Sequence, residues 1–297
     1  KILDGGMGQE LLAKGLISKG TLWSASALLD KKYHKLIIDI HLSFINSGAD
    51  VILTNSFTTR RVRFEQNNVN ESFQFANKCA GELAFKAKEI SKKNVIIAGS
   101  LPAQNDTYKP DERNRDVIEK NFMDQAFLIS PYIDFFYLDV ISSGRELGIA
   151  LEVIDKLKKP VLVGLHIKKN GRLPSGEIIT EVVSKYKNSN WLGLIAACVS
   201  PEIVNLCLNE IKNLNIPFGF KANLWGVEEP LPVHEFNKAK SNEIGQNPNI
   251  RLGTRNDFNE KRLSDFVKKT IKNGATILGG CCETNPSHIK IISKLKN

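Results

Sequence analysis

The chain has no run of 18 or more apolar residues, so nothing in it reads as a transmembrane helix. Its first residues, Lys1-Ile2-Leu3-Asp4, enter an apolar segment directly, without a basic leader or a small-residue cleavage site, and with no initiator Met a leader already removed stays open. Cysteine is scarce, with five in 297 residues. A secreted disulfide framework is denser, usually even in number and built on a smaller domain, so a reducing cytoplasm is the expected compartment. No G-x-G-x-x-G or Walker A pattern follows any apolar run, which removes the usual phosphate loop of a doubly wound nucleotide-binding sheet. Ser/Pro-rich linkers and low-complexity tracts are absent too, and a single domain spanning 1–297 is expected. The net charge is +9, but the lysines fall in short pairs such as Lys31-Lys32, Lys92-Lys93, Lys158-Lys159 and Lys168-Lys169, with no aromatics between them. That pattern reads as a solvated surface, with no nucleic-acid or membrane partner.

What is present is a repeated alternation. Eight short apolar runs lie at 2–4, 49–57, 95–101, 133–141, 160–167, 191–199, 217–224 and 276–281. Most are apolar throughout, without polar alternation, as strands covered on both faces are. Between them lie segments with apolar residues three and four apart, at 33–46, 121–130, 145–156, 179–186, 203–213 and 260–272. Strand and helix repeated eight times predict an α/β fold of the TIM-barrel type, a (β/α)8 barrel. The polar stretch 225–256 reads as a long seventh loop.

In such a barrel, chemistry gathers at the C-terminal ends of the strands. The polar residues expected there are Asp4, Thr54-Asn55-Ser56, Asp139, His166, Cys198, Asn223 and Cys281-Cys282. The three cysteines at this mouth suit one soft metal ion, and zinc is the thiolate-loving choice. Three protein ligands leave a fourth position for a substrate thiol. Left open beside this reading are a redox pair at Cys281-Cys282 and three unrelated buried thiols. Cys79 and Cys207 fall in helical stretches and read as packing residues. His288 reads as a helix-start residue, His166 as a hydrogen-bonded barrel residue, and Trp23 as a lid over the mouth or a packed aromatic.

The segment Gly279-Gly280-Cys281-Cys282 with Pro286-Ser287-His288-Ile289 behind it, Cys198 followed by Ser200-Pro201, and the opening Asp4-Gly5-Gly6-Met7-Gly8 resemble the homocysteine S-methyltransferase family. Gly48-Ala49-Asp50, Thr54-Asn55-Ser56-Phe57 and Ala98-Gly99-Ser100 with Pro102 add to the likeness. The resemblance implies a zinc-binding barrel that transfers a methyl group to homocysteine, giving methionine. By it, Cys198, Cys281 and Cys282 are the Zn2+ ligands, Asp4 meets the ammonium of the amino acid, and Gly5 and Thr54 offer it polar contacts. Asp139 stands where the family usually has a glutamate, and a shorter carboxylate meets the ammonium only if the amine sits deeper. Ala197 precedes Cys198 where the family usually has asparagine, and Thr58-Thr59 follows Phe57 where the betaine enzymes have Phe-Tyr. The methyl donor stays open among S-methylmethionine, S-adenosylmethionine, betaine, dimethylsulfoniopropionate and a methyl-cobalamin protein. A homocysteine- or zinc-binding protein without activity, and a methyltransferase for another thiol, are the alternatives. The sequence assigns no oligomeric state.

Overall fold

Seven of the apolar runs pair side by side in parallel and in chain order: β1 (Val51–Leu53), β2 (Ile96–Pro102), β3 (Phe135–Ile141), β4 (Val161–Leu165), β5 (Trp191–Ala197), β6 (Phe218–Ala222) and β7 (Ile277–Gly280). The structure is a computed structural model and describes residues 1–296. A helix follows each strand, from Phe73–Ser91 after β1 to Pro286–Lys294 after β7, and His34–Asn46 precedes the sheet. The helix expected at 121–130 begins earlier, at Arg115, because Asn114 caps it by accepting from the Asp116 N–H. The helix expected at 260–272 is found over those residues, with Asn259 as its cap.

The strands show no polar alternation because both faces are covered. Ile52, Ile97, Phe136, Leu138, Val163, Leu194, Phe220 and Leu278 pack outward under the helices. Their neighbours Val51, Leu53, Ala98, Phe135, Tyr137, Leu162, Ile195 and Ile277 fill the concave face. Two residues further along the same inward series come Ser100 after Ala98, Asp139 after Tyr137, and Lys221 after Gly219. The inner face thus turns from apolar to charged toward the C-terminal ends.

The expected first strand, 2–4, is not a strand but two isolated parallel bridges, Ile2 to Leu278 and Leu3 to Val51. Three residues give only one pair on each side. Those pairs are nonetheless well made, with Leu3 N donating to Leu278 O at 2.8 Å and Asp4 N to Val51 O at 3.0 Å. Segment 1–4 therefore hydrogen-bonds to both outer strands of the curled seven-strand sheet. The stretch 225–256 is a loop carrying two short helices, Val233–Phe236 and Asn249–Leu252. Trp225, Phe236 and Leu252 form a small apolar cluster of their own inside it.

One buried polar residue departs from this economy. His41, on the helix His34–Asn46, is fully buried, and neither ring nitrogen has a hydrogen-bond partner among the described residues. Burial pushes its pKa down to about 3, against about 6.5 in an unfolded chain. The unfolded state therefore takes up a proton that the folded state refuses, and stability is lost as pH falls from about 6.5 toward 3. In urea titrations between pH 7 and pH 4.5, His41→Leu should reduce the pH slope by up to ~1.4 kcal/mol per pH unit. An unchanged slope would show that His41 is protonated in the folded protein.

Candidate metal and substrate site

Each cysteine is placed by the strand that ends at it. Cys198 follows β5 with φ 51°, a left-handed conformation that stops the strand and turns the sulfur inward. Asn223, two residues past Lys221 in the inward series, fixes that turn: its Nδ2 donates to Cys198 O at 2.7 Å and lies 3.9 Å from Cys198 Sγ. Cys281 and Cys282 follow β7, and Glu283, at φ 60°, turns the chain away. Glu283 is held by Gln9 and by Thr254, whose hydroxyl donates to it at 2.7 Å.

The three Sγ atoms lie within 4.8 Å of one another, with 3.8 Å between Cys198 and Cys282 and 4.0 Å between Cys281 and Cys282. Zinc–sulfur bonds of ~2.3 Å at tetrahedral angles put ligand sulfurs ~3.8 Å apart, so this set fits a soft tetrahedral ion. Burial opposes ionisation of Cys198, but hydrogen bonds from Cys281, Cys282 and the Tyr108 hydroxyl outweigh it and hold this thiol well below its usual range. Cys281 is pushed up to about 12, chiefly by its partnership with Cys198. The remaining cysteines are separate from the site. Cys79 and Cys207 are buried in helices, burial pushes both to about 12, and they serve packing, as expected.

The thiols open into a cavity of about 910 Å³, counting its mouth. Trp23, Phe57, Trp225 and Phe236 supply its aromatic wall, the last two from the long loop after β6. The Trp23 ring presses on Gly8, where an added Cβ would come within 2.5 Å of it. Trp23 therefore lines the cavity as a packed aromatic beside the opening.

Acidic groups sit at the base. Asp4 Oδ2 accepts from Leu53 N at 2.8 Å, and its Oδ1 lies 3.5 Å from Lys221 Nζ. Burial raises Asp4 to about 6, with Lys221 and the Leu53 N–H opposing. Asp139 Oδ2 accepts from Ser100 Oγ at 3.0 Å, while Oδ1 is buried with no partner among the described residues. Burial, then the charge of Cys281, raises it to about 7. Thr54 is less available than its position suggests. Ser56 donates to Ser100 O at 2.6 Å, so the 2.7 Å contact between Thr54 and Ser56 must be donated by Thr54. The N–H of Ser100 occupies the Thr54 oxygen at 3.1 Å. The Gly5 N–H, by contrast, donates to no group among the described residues.

Sequence reasoning missed three residues here. Lys221 is buried inside an apolar strand, and its signal was that isolation: a lone charge at an inward position of β6. Tyr108, in the loop after β2, puts its hydroxyl 3.1 Å from Cys198 Sγ and its ring 4.5 Å from that of His166. Nothing in sequence marks it. Arg60, fully buried, holds the loop to which Tyr108 belongs, donating to Ala103 O at 2.9 Å and to Thr107 Oγ1 at 3.3 Å. His166 bonds to Ala197 O at 3.3 Å, the barrel role expected of it. His288 lies at the start of the last helix, in a capping box with Asn285.

The family model described as homocysteine S-methyltransferase matches residues 1–295. Homocysteine S-methyltransferase 2 of Saccharomyces cerevisiae is 23% identical across 98% of this chain and 92% of its own length. Homocysteine S-methyltransferase 1 of the same yeast is 25% identical across 98% and 92%. In three dimensions, the chain superposes on the metallated form of the homocysteine methyltransferase MmuM from Escherichia coli with a TM-score of 0.77. That match is 19% identical and covers 99% of this chain and 95% of the other. The chain belongs to the homocysteine S-methyltransferase family and is a methyltransferase.

Proposed function

We propose that this enzyme transfers a methyl group from a small onium donor to the sulfur of homocysteine, giving methionine, with zinc held by Cys198, Cys281 and Cys282. The observation that carries this reading is the convergence of three thiols, within 4.8 Å, on a cavity with an acidic base and an aromatic wall. A zinc ion bound there keeps an incoming thiol ionised at neutral pH. The chain's own groups do the rest. Asp139, with Asp4 behind it, provides the negative pole for the ammonium of the amino acid. The free N–H of Gly5 faces its carboxylate, and Thr54 lines the wall beside it. Trp23, Phe57, Trp225 and Phe236 suit a cationic methyl donor, because the faces of their rings attract onium groups.

In the transfer, the bond from acceptor sulfur to methyl carbon forms as the bond from that carbon to the donor's sulfonium sulfur or ammonium nitrogen breaks. The bonding pair leaves with the donor, whose onium centre becomes a neutral sulfide or amine, and the acceptor thiolate loses its charge. S-methylmethionine, S-adenosylmethionine, betaine and dimethylsulfoniopropionate all meet this requirement. We read the chain as one (β/α)8 barrel domain in which segment 1–4 serves as the eighth stave, since its backbone pairs with both β7 and β1. A reducing cytoplasm suits the site, whose thiols serve only when reduced.

Protein purified under reducing conditions should hold close to one zinc per chain by elemental analysis. Cys198→Ala should lose most of that zinc and at least ~10³-fold of the methyl transfer measured as methionine formed. Retention of both would end the three-ligand assignment. A panel of the four donors should give methionine with at least one of them. Asn223→Ala removes the bond that holds the Cys198 turn, and the loss of a hydrogen bond that orients a metal ligand costs ~10–100-fold in metal affinity. Competition with a chromogenic chelator measures it, and an unchanged affinity would show that the turn holds itself.

A further inference from the structure

Lys221 is a buried cation whose amino group enters the base of the site, and its bonding is incomplete, whereas Arg60, also buried on the cavity lining, spends its guanidinium on Ala103 O and Thr107 Oγ1. An ammonium carries three donors. One is well used, on Gly280 O at 2.5 Å. The other two face Gly5 O and Asp4 Oδ1, each at 3.5 Å, which is long for a hydrogen bond to a charged group. The side chain is about 5% exposed and lines the same cavity as the three cysteines and Asp139. A buried charge is stable only with good partners, so this arrangement leaves a demand for an anionic oxygen.

The neighbouring groups say where that oxygen comes from. Asp4 gives one oxygen to Leu53 N, and its other oxygen, though without a hydrogen bond among the described residues, is ion-paired with Lys221 at 3.5 Å. Asp139 keeps one oxygen unpartnered, on β3. Thr54 has spent its proton on Ser56. For an amino-acid ligand this leaves Asp139, which makes no ion pair among the described residues, for the ammonium, and the Gly5 N–H and Lys221 as donors for the carboxylate. We infer that Lys221 binds the α-carboxylate of the acceptor amino acid while Asp139 alone binds its ammonium, so that the two side chains select a zwitterion. Asp4 then holds Lys221 in place and does not touch the substrate. The inference rests on the homocysteine reading above and sharpens it.

The test compares three thiols by calorimetry on the zinc-loaded enzyme: homocysteine, its decarboxylated analogue homocysteamine, and its deaminated analogue mercaptobutyrate. The wild type should prefer homocysteine over each analogue by about 10- to 100-fold, as a charge-assisted bond allows. Lys221→Met should bring homocysteine and homocysteamine within about 3-fold of each other and keep the preference over mercaptobutyrate. Asp139→Asn should do the reverse. Lys221→Arg, which keeps a cation and so guards against a folding defect in the Met variant, should retain the preference over homocysteamine. If Lys221 only braces Asp4, Lys221→Met lowers the melting temperature and leaves both preferences at wild-type values, which overturns the proposal. A wild type that binds homocysteine and homocysteamine equally overturns the Lys221 role alone. A wild type that binds none of the three thiols overturns the homocysteine reading with it.

Discussion

Two backbone hydrogen bonds to consecutive carbonyls of β6 hold the site together: Cys198 N to Lys221 O at 2.9 Å, and Cys281 N to Ala222 O at 2.7 Å. They continue the ladders by which β5 and β7 flank β6. Sulfurs on two segments 83 or more residues apart in sequence are thereby set at the same height on the sheet. The two residues that follow β6 extend the template, since Asn223 clamps the Cys198 carbonyl and Leu224 N donates to Cys282 O at 3.0 Å. A cluster placed by side-chain packing alone would adjust to each ligand. One placed by a parallel ladder is fixed before any ligand arrives, which is the condition for a strained or reactive coordination site to persist.

The same strand carries the charge that balances the acidic base. Without Lys221, two buried carboxylates and a shared thiolate would face one another in low dielectric, and each would resist ionisation. With it, the Asp4–Lys221 pair is close to neutral, and Asp139 remains the carboxylate that titrates around neutrality. Lys221 itself is held in its charged form: burial works against it, but Asp4, Cys281 and Asp139 together prevail. The base of the cavity is therefore a graded field, with the Asp4–Lys221 ion pair on one side and the Asp139 carboxylate, without an ion pair among the described residues, on the other.

How much of this was legible in the sequence depended on whether position along a strand sufficed. Cys198, Cys281 and Cys282 were legible because strands end where they stand and a parallel sheet brings such ends together. Asp4 and Asp139 followed by the same reasoning. Segment 2–4 was legible as a pairing element, although three residues form bridges and not a strand. Thr54 shows the limit: its place was right, but which hydroxyl donates to which is settled only by the circuit through Ser56 and Ser100. Lys221 was hidden by its apolar neighbours, Phe218 and Phe220, which mark a strand but not which face its lysine takes. Tyr108 and Arg60 were out of reach, because the loop after β2 has no periodicity to place them.

Backbone strain gives an independent measure of where the fold is spending stability. Among the described residues, nine other than glycine have left-handed backbones. Lys92, Lys158 and Asn215 end helices, where such a residue is ordinary, and Asn68 turns the chain just past the helix Arg61–Gln66. The other five, Trp23, Tyr108, Val140, Cys198 and Glu283, all sit at the mouth or next to a residue that lines it. For Val140 the conformation is especially unfavourable, because its branched Cβ crowds the carbonyl. Such residues cost ~1–3 kcal/mol each and persist only where their surroundings over-determine them. Val140 is fully buried and directly follows Asp139 on β3, where the pairing with β4 shifts register. The strain there turns the chain at the point where the Asp139 carboxylate must face inward, so the cost falls where the unpartnered oxygen is needed.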